Sequence, residues 1–178
     1  MSVAEIAITP ATRRDALELA PHLRRADREE VWASGRLSGE SALLLSLLHS
    51  APGLAWAGRI DGEIAVLFGV AQLSLLSDEG RPWLLASLLM ERHPLALLRN
   101  SRRYVALMRA PFTRLLNHVD ARNHAARRWL AWLGFTLEPP APHGAAGLPF
   151  HQFHMPGLSI PAARQCDHDE PSRSLNNV

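Results

Sequence analysis

The sequence predicts an α/β fold of the α+β kind, a mixed central sheet of about six to seven strands with helices on both faces. Three observations carry this prediction. Two apolar runs, 54–60 and 63–70, flank Asp61-Gly62, the dipeptide that most strongly marks a two-residue hairpin turn. Residues 115–135 read as a strand, a capped helix, a glycine stop and a further strand. Strand-like and helical segments also alternate along 3–155 in an order that suits a sheet covered on both sides.

Residues 3–8 alternate loosely as a first strand, and Thr9-Pro10-Ala11-Thr12 breaks it. Ala16, Leu17, Leu19, Ala20 and Leu23 then predict a helix over 13–25, with Pro21 as a kink or boundary and 27–32 as a second piece. Ser38-Gly39-Glu40-Ser41 opens a helix over 41–49, ended by Pro52 and Gly53. The hairpin follows, then a loop at Ser77-Asp78-Glu79-Gly80 and a third neighbouring strand over 81–86. Residues 97–108 form a long helix, with Leu98, Val105 and Met108 on one side and Arg99, Arg102, Arg103 and Arg109 largely on the other. Pro111 and Thr113 end it.

Leu115, Leu116 and Val119 mark the next strand. Asn123 caps the helix after it, because an Asn side chain accepts a hydrogen bond from the free amides of a first turn. Ala126, Trp129, Leu130 and Leu133 recur at helical spacing, and Gly134 and Phe135 close the helix. A strand at 136–138, a Pro/Gly-rich loop over 139–147 and a last strand at 150–155 complete the order β-α-α-β-β-β-α-β-α-β-β. Residues 1–155 make one domain; 156–178 are too polar to offset ordering entropy and form a flexible C-terminal tail.

At 178 residues the chain suits a single core, and 47% hydrophobic against 20% charged residues marks it as globular. A net charge of +2 is too small to argue for nucleic acid as a partner. All 19 basic residues are arginines. The single Cys166 excludes an internal disulfide and points to a reducing compartment. The first residues lack a basic region followed by an apolar stretch, and runs such as 42–48 are too short to span a bilayer. Synthesis in the cytoplasm is the expectation.

Asn123, Ala126, Trp129, Leu130, Gly134 and Phe135 together resemble the second conserved motif of the GNAT superfamily, the Gcn5-related N-acetyltransferases, written N-x-x-A-x-x-(L/W)-(Y)-x-x-x-G-F. The resemblance implies a GNAT-like fold. It also implies an acetyl-CoA diphosphate held by a glycine-rich turn, (Q/R)-x-x-G-x-(G/A), between the fourth strand and the next helix, where bare amides approach the phosphates. The corresponding segment here, Ser87-Leu88-Leu89-Met90-Glu91-Arg92-His93-Pro94-Leu95-Ala96, has no glycine. Leu88, Leu89 and Met90 are expected to crowd the turn, Glu91 to repel phosphate, and Pro94 lacks an amide. Arg92 and His93 remain as charge partners for a phosphate or as surface residues.

Family members often place a tyrosine acid seven residues after the motif Asn; Leu130 stands there, and Tyr104 in the preceding helix reads as core-lining. Residues 81–86 offer no general base. Asp61 and Glu63 are alternatives, although an Asp before Gly is already explained by the turn. The expectation is therefore no catalytic residue, no metal and no cofactor, with Asn123 the one cofactor-binding candidate should acetyl-CoA bind.

Other groups are weaker. His151 and His154 fall on opposite faces of a strand and make a poor metal pair. His118 and Asp120 share a face, but no nucleophile accompanies them. Trp83 and Trp129 read as core and rim. Trp132 falls off the apolar stripe and, with Arg128, marks a possible partner surface. Arg99, Arg102, Arg103 and Arg109 read as a solvated face rather than a nucleic-acid site.

The blocks Arg81-Pro82-Trp83-Leu84-Leu85-Ala86-Ser87, Asn117-His118-Val119-Asp120-Ala121-Arg122-Asn123 and Arg128-Trp129-Leu130-Ala131-Trp132-Leu133-Gly134-Phe135 look, more narrowly, like the internal virion (core) proteins of short-tailed phages. That resemblance implies a phage or prophage assembly protein on a degenerate GNAT scaffold, binding other phage structural proteins. It would be made in the host cytoplasm and could be carried inside the virion. The alternative is an active, divergent N-acetyltransferase moving an acyl group from acetyl-CoA to an amine.

Overall fold

The computed structural model describes residues 4–72 and 78–159. Asp61 and Gly62 both take positive φ, 50° and 85°, the conformation of a mirror-image turn whose twist matches that of the flanking strands. They join β2 (Ser50–Ile60) to β3 (Glu63–Ala71), with Ile60 facing Glu63. β1 (Ile6–Pro10) adds to β2, and β4 (Glu79–Ala86) adds to β3, all antiparallel. β5 (Arg114–Asp120) is parallel to β4 and antiparallel to β8 (Leu148–Pro156), which also carries β6 (Thr136–Leu137) and β7 (Ala141–His143).

The result is one eight-stranded mixed sheet in the order β1-β2-β3-β4-β5-β8-β6, with β7 also on β8. The eighth strand is β7, inside the predicted 139–147 loop. Its three residues, Ala-Pro-His, carry no apolar alternation and pair only because the turn after them folds back onto β8.

On one face lie α1 (Arg13–Leu19) and α3 (Gly39–His49); between them run a 3₁₀ turn (Ala20–His22) and α2 (Arg25–Gly35). Pro21 does set the break predicted for it, so the 13–25 helix is two pieces. Leu19, Leu43 and Leu67 are fully buried on this face, each contributing about 1.5–3 kcal/mol. On the other face lie a one-turn α4 (Leu89–Arg92), α5 (Pro94–Arg109) and α6 (His124–Leu133), over Val66, Phe68, Val119 and Phe153. Asn123 Oδ1 accepts the Ala126 amide at 3.2 Å, and Gly134 (φ 95°) ends α6. Phe135 then packs edge-on to Phe153.

Some bounds differ from expectation. β1 runs on through Pro10, as an edge strand tolerates, and β2 runs through Pro52 and Gly53, so α3 ends at the strand itself. β8 extends through Pro156, and the amides of Gly157, Leu158 and Ser159 bond to Thr113, Arg109 and Phe112. The first residues assigned to the tail are therefore tied to the corner between α5 and β5. The rest of that tail with Cys166, and also residue 3 and Ser77, lie outside the described residues.

Candidate functional site: the gap between β4 and β5

β4 and β5 pair only at Glu79–Arg114 and Gly80–Leu115. Beyond Gly80 the strands diverge. Ser87 N–H bonds Ala65 O on β3, and Leu85 and Trp83 face Leu67 and Gly69. Backbone alternation turns the N–H and C=O groups of Leu84 and Ala86, and the Pro82 carbonyl, towards β5 instead. Asn117 Nδ2 donates to that carbonyl at 2.8 Å and closes the lower end of the gap. Both groups of Ala86 are taken: its carbonyl accepts Arg24 N–H at 2.9 Å, and its N–H donates to Asp27 Oδ2 at 2.8 Å. Between them Leu84 N–H and C=O face the gap, the arrangement an added strand-like ligand pairs with.

α2 bridges the open end. Leu23 pairs with Ser87, which sets the start of the helix. Asp27, 4% exposed, is held by Arg24 Nε and Nη2 at 3.0 and 2.8 Å as well as by β4. One turn on, on the same helix face, the partly buried Glu30 reaches the β5–α6 junction, where Asn123 Nδ2 donates to Glu30 Oε2 at 3.2 Å. Burial pushes the Glu30 acid up to about 7, the charges of Asp27 and Asp120 add to the rise, and the Asn123 bond opposes it. Asp120 differs. Burial raises its acid, but the Arg122 bonds at 2.6–3.2 Å more than offset that and hold it below the usual range.

Across the gap, the rings of His118 on β5 and His143 on β7 stack at 3.6 Å and 9°. Burial, with the charges of His143 and Arg81, holds the His118 imidazolium below its ordinary pKa. The turn after His143 is fastened to α2, where Ser34 O and Ala33 O accept from Ala145 and Ala146 N–H at 2.9 and 3.0 Å. Glu30, Asn123, Asn117, His118, His143 and Leu84 all line a half-open cleft that runs from the gap over both faces of the sheet, about 930 Å³ in all.

The turn after β4 is built differently from a phosphate cradle. Ser87 Oγ and O accept from Leu89 and Met90 N–H, Leu88 O from Glu91 and Leu89 O from His93, so its amides are occupied. The crowding expected of the three apolar side chains does not all occur: Leu88 is 53% exposed and points away, whereas Met90 is in the core. α5 begins at Pro94 with no side-chain cap, leaving first-turn amides beside the exposed Arg92. Among the described residues two buried side-chain donors lack a partner, Arg127 Nε and Trp129 Nε1, and Trp129 lines the cavity. The gap and the Leu84 backbone fit the extended, amide-bearing arm of a CoA thioester. The turn does not fit its diphosphate as a glycine-rich loop would.

Asn123 is at the site, both as helix cap and as Glu30's partner. Trp132 is 44% exposed on α6, with the Arg102 guanidinium 4.4 Å from its ring centre, and Arg128 is exposed nearby on the same helix. Tyr104 packs against Trp56 and Phe68. Arg109 Nε bonds Pro156 O, so the arginine face is not wholly solvated. Asp61 accepts Glu5 N–H and, like Glu63, lies off the cavity. His118 stacks on His143 while Asp120 pairs with Arg122. His151 Nδ1 and His154 Nε2 bond Glu138. No group of three or more metal-ligating side chains occurs among the described residues, and no helix among them is long and apolar enough to cross a membrane. Sequence reasoning missed Glu30 and Asp27. The only signal was their spacing on a short helical segment.

The fold has many solved counterparts. An acetyltransferase of the GNAT family from Streptococcus pneumoniae is 20% identical, with TM-score 0.62 over 85% of this chain and 99% of that one. The fold is that of a GNAT acetyltransferase. The ribosomal-protein-S18-alanine N-acetyltransferase from Escherichia coli shares it at 16% identity and TM-score 0.59, over 90% of this chain and 98% of that one. So does yncA from Salmonella typhimurium, solved with its cofactor acetyl-CoA, at 14% identity and TM-score 0.56, over 90% and 99%. At these identities the likeness is one of fold. No family model matches the chain, and no curated protein does.

Two expectations change. A GNAT fold solved with acetyl-CoA overturns the expectation of no cofactor; the missing glycines removed one phosphate contact, while the gap between β4 and β5 remained. The narrower likeness to phage internal virion proteins finds no support among these structures.

Proposed function

We propose that this protein is an N-acyltransferase that moves an acyl group from a CoA thioester, acetyl-CoA in its simplest form, to an amine. The observation that carries this reading is the bridge made by α2: a carboxylate raised to about 7 stands at the mouth of a strand gap. Structures sharing the fold support it, one of them an N-acetyltransferase and one solved with acetyl-CoA.

CoA supplies the acyl group as an activated thioester. The arm of a bound CoA would be held in strand-like register by Leu84 N–H and C=O, with Arg92 and the first turn of α5 beside its phosphates. Glu30 accepts a proton from the attacking amine as the N–C bond forms and the C–S bond breaks. A surface carboxylate is too weak a base for this in the neutral range, whereas one poised near 7 is suited to it. Asn123 orients Glu30. Leu130 cannot donate a proton, so the departing sulfur takes its proton from Glu30 or leaves as thiolate, which an ordinary thiol pKa of about 8.5 permits.

Calorimetry with acetyl-CoA on the full chain, followed by thiol release with a panel of amines between pH 6 and 9, tests the reading. Micromolar binding and amine-dependent thiol release are expected. Absence of both overturns it.

A further inference from the structure

The two sides of the sheet differ in charge. The helices α1, α2 and α3 hold four arginines against six acidic residues. α4, α5 and α6 hold seven arginines against one acidic residue, Glu91. In a chain of net charge +2, that is a one-sided positive field, which favours an anionic partner on the α5–α6 side.

The arginines share that side with large apolar groups. Leu95, Leu98, Arg99, Arg102 and Arg103 recur at three- and four-residue spacing on α5, and all five are exposed, Leu95 at 65%. They therefore form one outward stripe of the helix, while Tyr104, Val105 and Met108 pack inward on the core. The Arg102 guanidinium over the Trp132 ring joins this stripe to α6. There the exposed Arg128 stands one turn before the exposed Trp132.

Charge alone would suit a nucleic-acid backbone, but phosphates give Leu95, Leu98 and the Trp132 ring nothing to pack on. An anionic bilayer takes both kinds of side chain. Leucine tips and an indole enter the headgroup–acyl boundary, and arginine stems lie along them with their charged ends at the lipid phosphates.

We propose that the outward side of α5 and α6 docks this protein shallowly on an anionic lipid bilayer, with Leu95, Leu98 and Trp132 at the headgroup boundary and Arg99, Arg102, Arg103 and Arg128 on the phosphates. The docking stands apart from acyl transfer, since none of these residues holds the cofactor arm or serves as the base.

Co-sedimentation of the full-length protein with vesicles of phosphatidylcholine, alone or with about 30% phosphatidylglycerol, tests this. Partition onto the anionic vesicles is expected to exceed that onto the neutral ones at least about 10-fold. It should fall steeply as salt rises from about 0.1 to about 1 M and the Debye length shrinks from about 10 to about 3 Å. The double change Arg99→Gln with Arg103→Gln is expected to weaken partition about 25-fold, or about 5-fold per charge. Leu95→Ser is expected to weaken it several-fold at every salt concentration, and an unchanged partition counts against the apolar contact. Equal partition onto both vesicles, or none onto either, overturns the proposal. So does release of the bound protein by duplex DNA at the same phosphate concentration, which would make the face a nucleic-acid site. The comparison of the two vesicle compositions uses the wild-type chain and stands even if a variant folds poorly.

Discussion

Gly80, where β4 still pairs with β5, is so closely surrounded that a Cβ there would lie 2.6 Å from Phe112, 2.7 Å from Val70 and 2.8 Å from Leu115. Ala86, at the other end of the same strand, has no β5 beside it and gives both backbone groups to Arg24 and Asp27. One end is locked by packing, and the other is held by polar contacts to a helix. Stability and chemistry are thus separated along a single strand: the closed end fixes where the strands part, and the open end is free to carry a raised carboxylate and orphan backbone groups.

The largest effect is expected from Glu30→Gln at the open end. Amine-dependent thiol release should fall about 10²–10⁴-fold, and the rise in rate through about pH 7 should vanish; an unaltered profile would remove Glu30 from the reaction. The same change should stabilise the fold in alkali. The acid is raised from an ordinary 4.5 to about 7, so the stability linked to its proton is complete below 4.5 and is lost as pH climbs through 7. Gln carries no charge to bury, and at pH 8 it should recover roughly 2–3 kcal/mol in thermal or urea unfolding.

At the closed end, Gly80→Ala should cost about 1–3 kcal/mol through overpacking, read as a lower urea midpoint at unchanged slope; no loss would mean that end is not locked. Asn123→Ala should cost about 1 kcal/mol as a lost cap. It should also move the kinetic inflection upward, because the lost bond favours the ionised Glu30. A merely structural role would leave the inflection in place. The smallest effect is expected from Trp132→Ala, which removes the Arg102 contact on an exposed face. A loss under about 1 kcal/mol in stability, with thiol release unchanged, would separate that surface from the gap.

The elements made by local rules were legible in the chain. Asp61-Gly62 names its own turn, and Asn123 to Phe135 holds cap, apolar stripe and stop within one helix. What was not legible depends on partners far away in sequence. Glu30 sits among charged residues of an unremarkable amphipathic piece; its acid rises because the built sheet buries it and brings the charges of Asp27 and Asp120 near. β7 is invisible for the same reason, since Ala141, Pro142 and His143 become a strand by lying on β8. Leu88 misled because bulk in a sequence carries no direction, and here the side chain points outward.

The ties between α2 and the turn after β7 link Ala33 and Ser34 to Ala145 and Ala146, so the helix bearing Glu30 is pinned by some of the last-made residues of the domain. Such distant closures come late and slowly when a chain folds. A polypeptide still emerging from the ribosome would therefore hold the first half of the sheet with an ordinary, weakly basic glutamate, and reactivity would arrive only once synthesis had passed the second half.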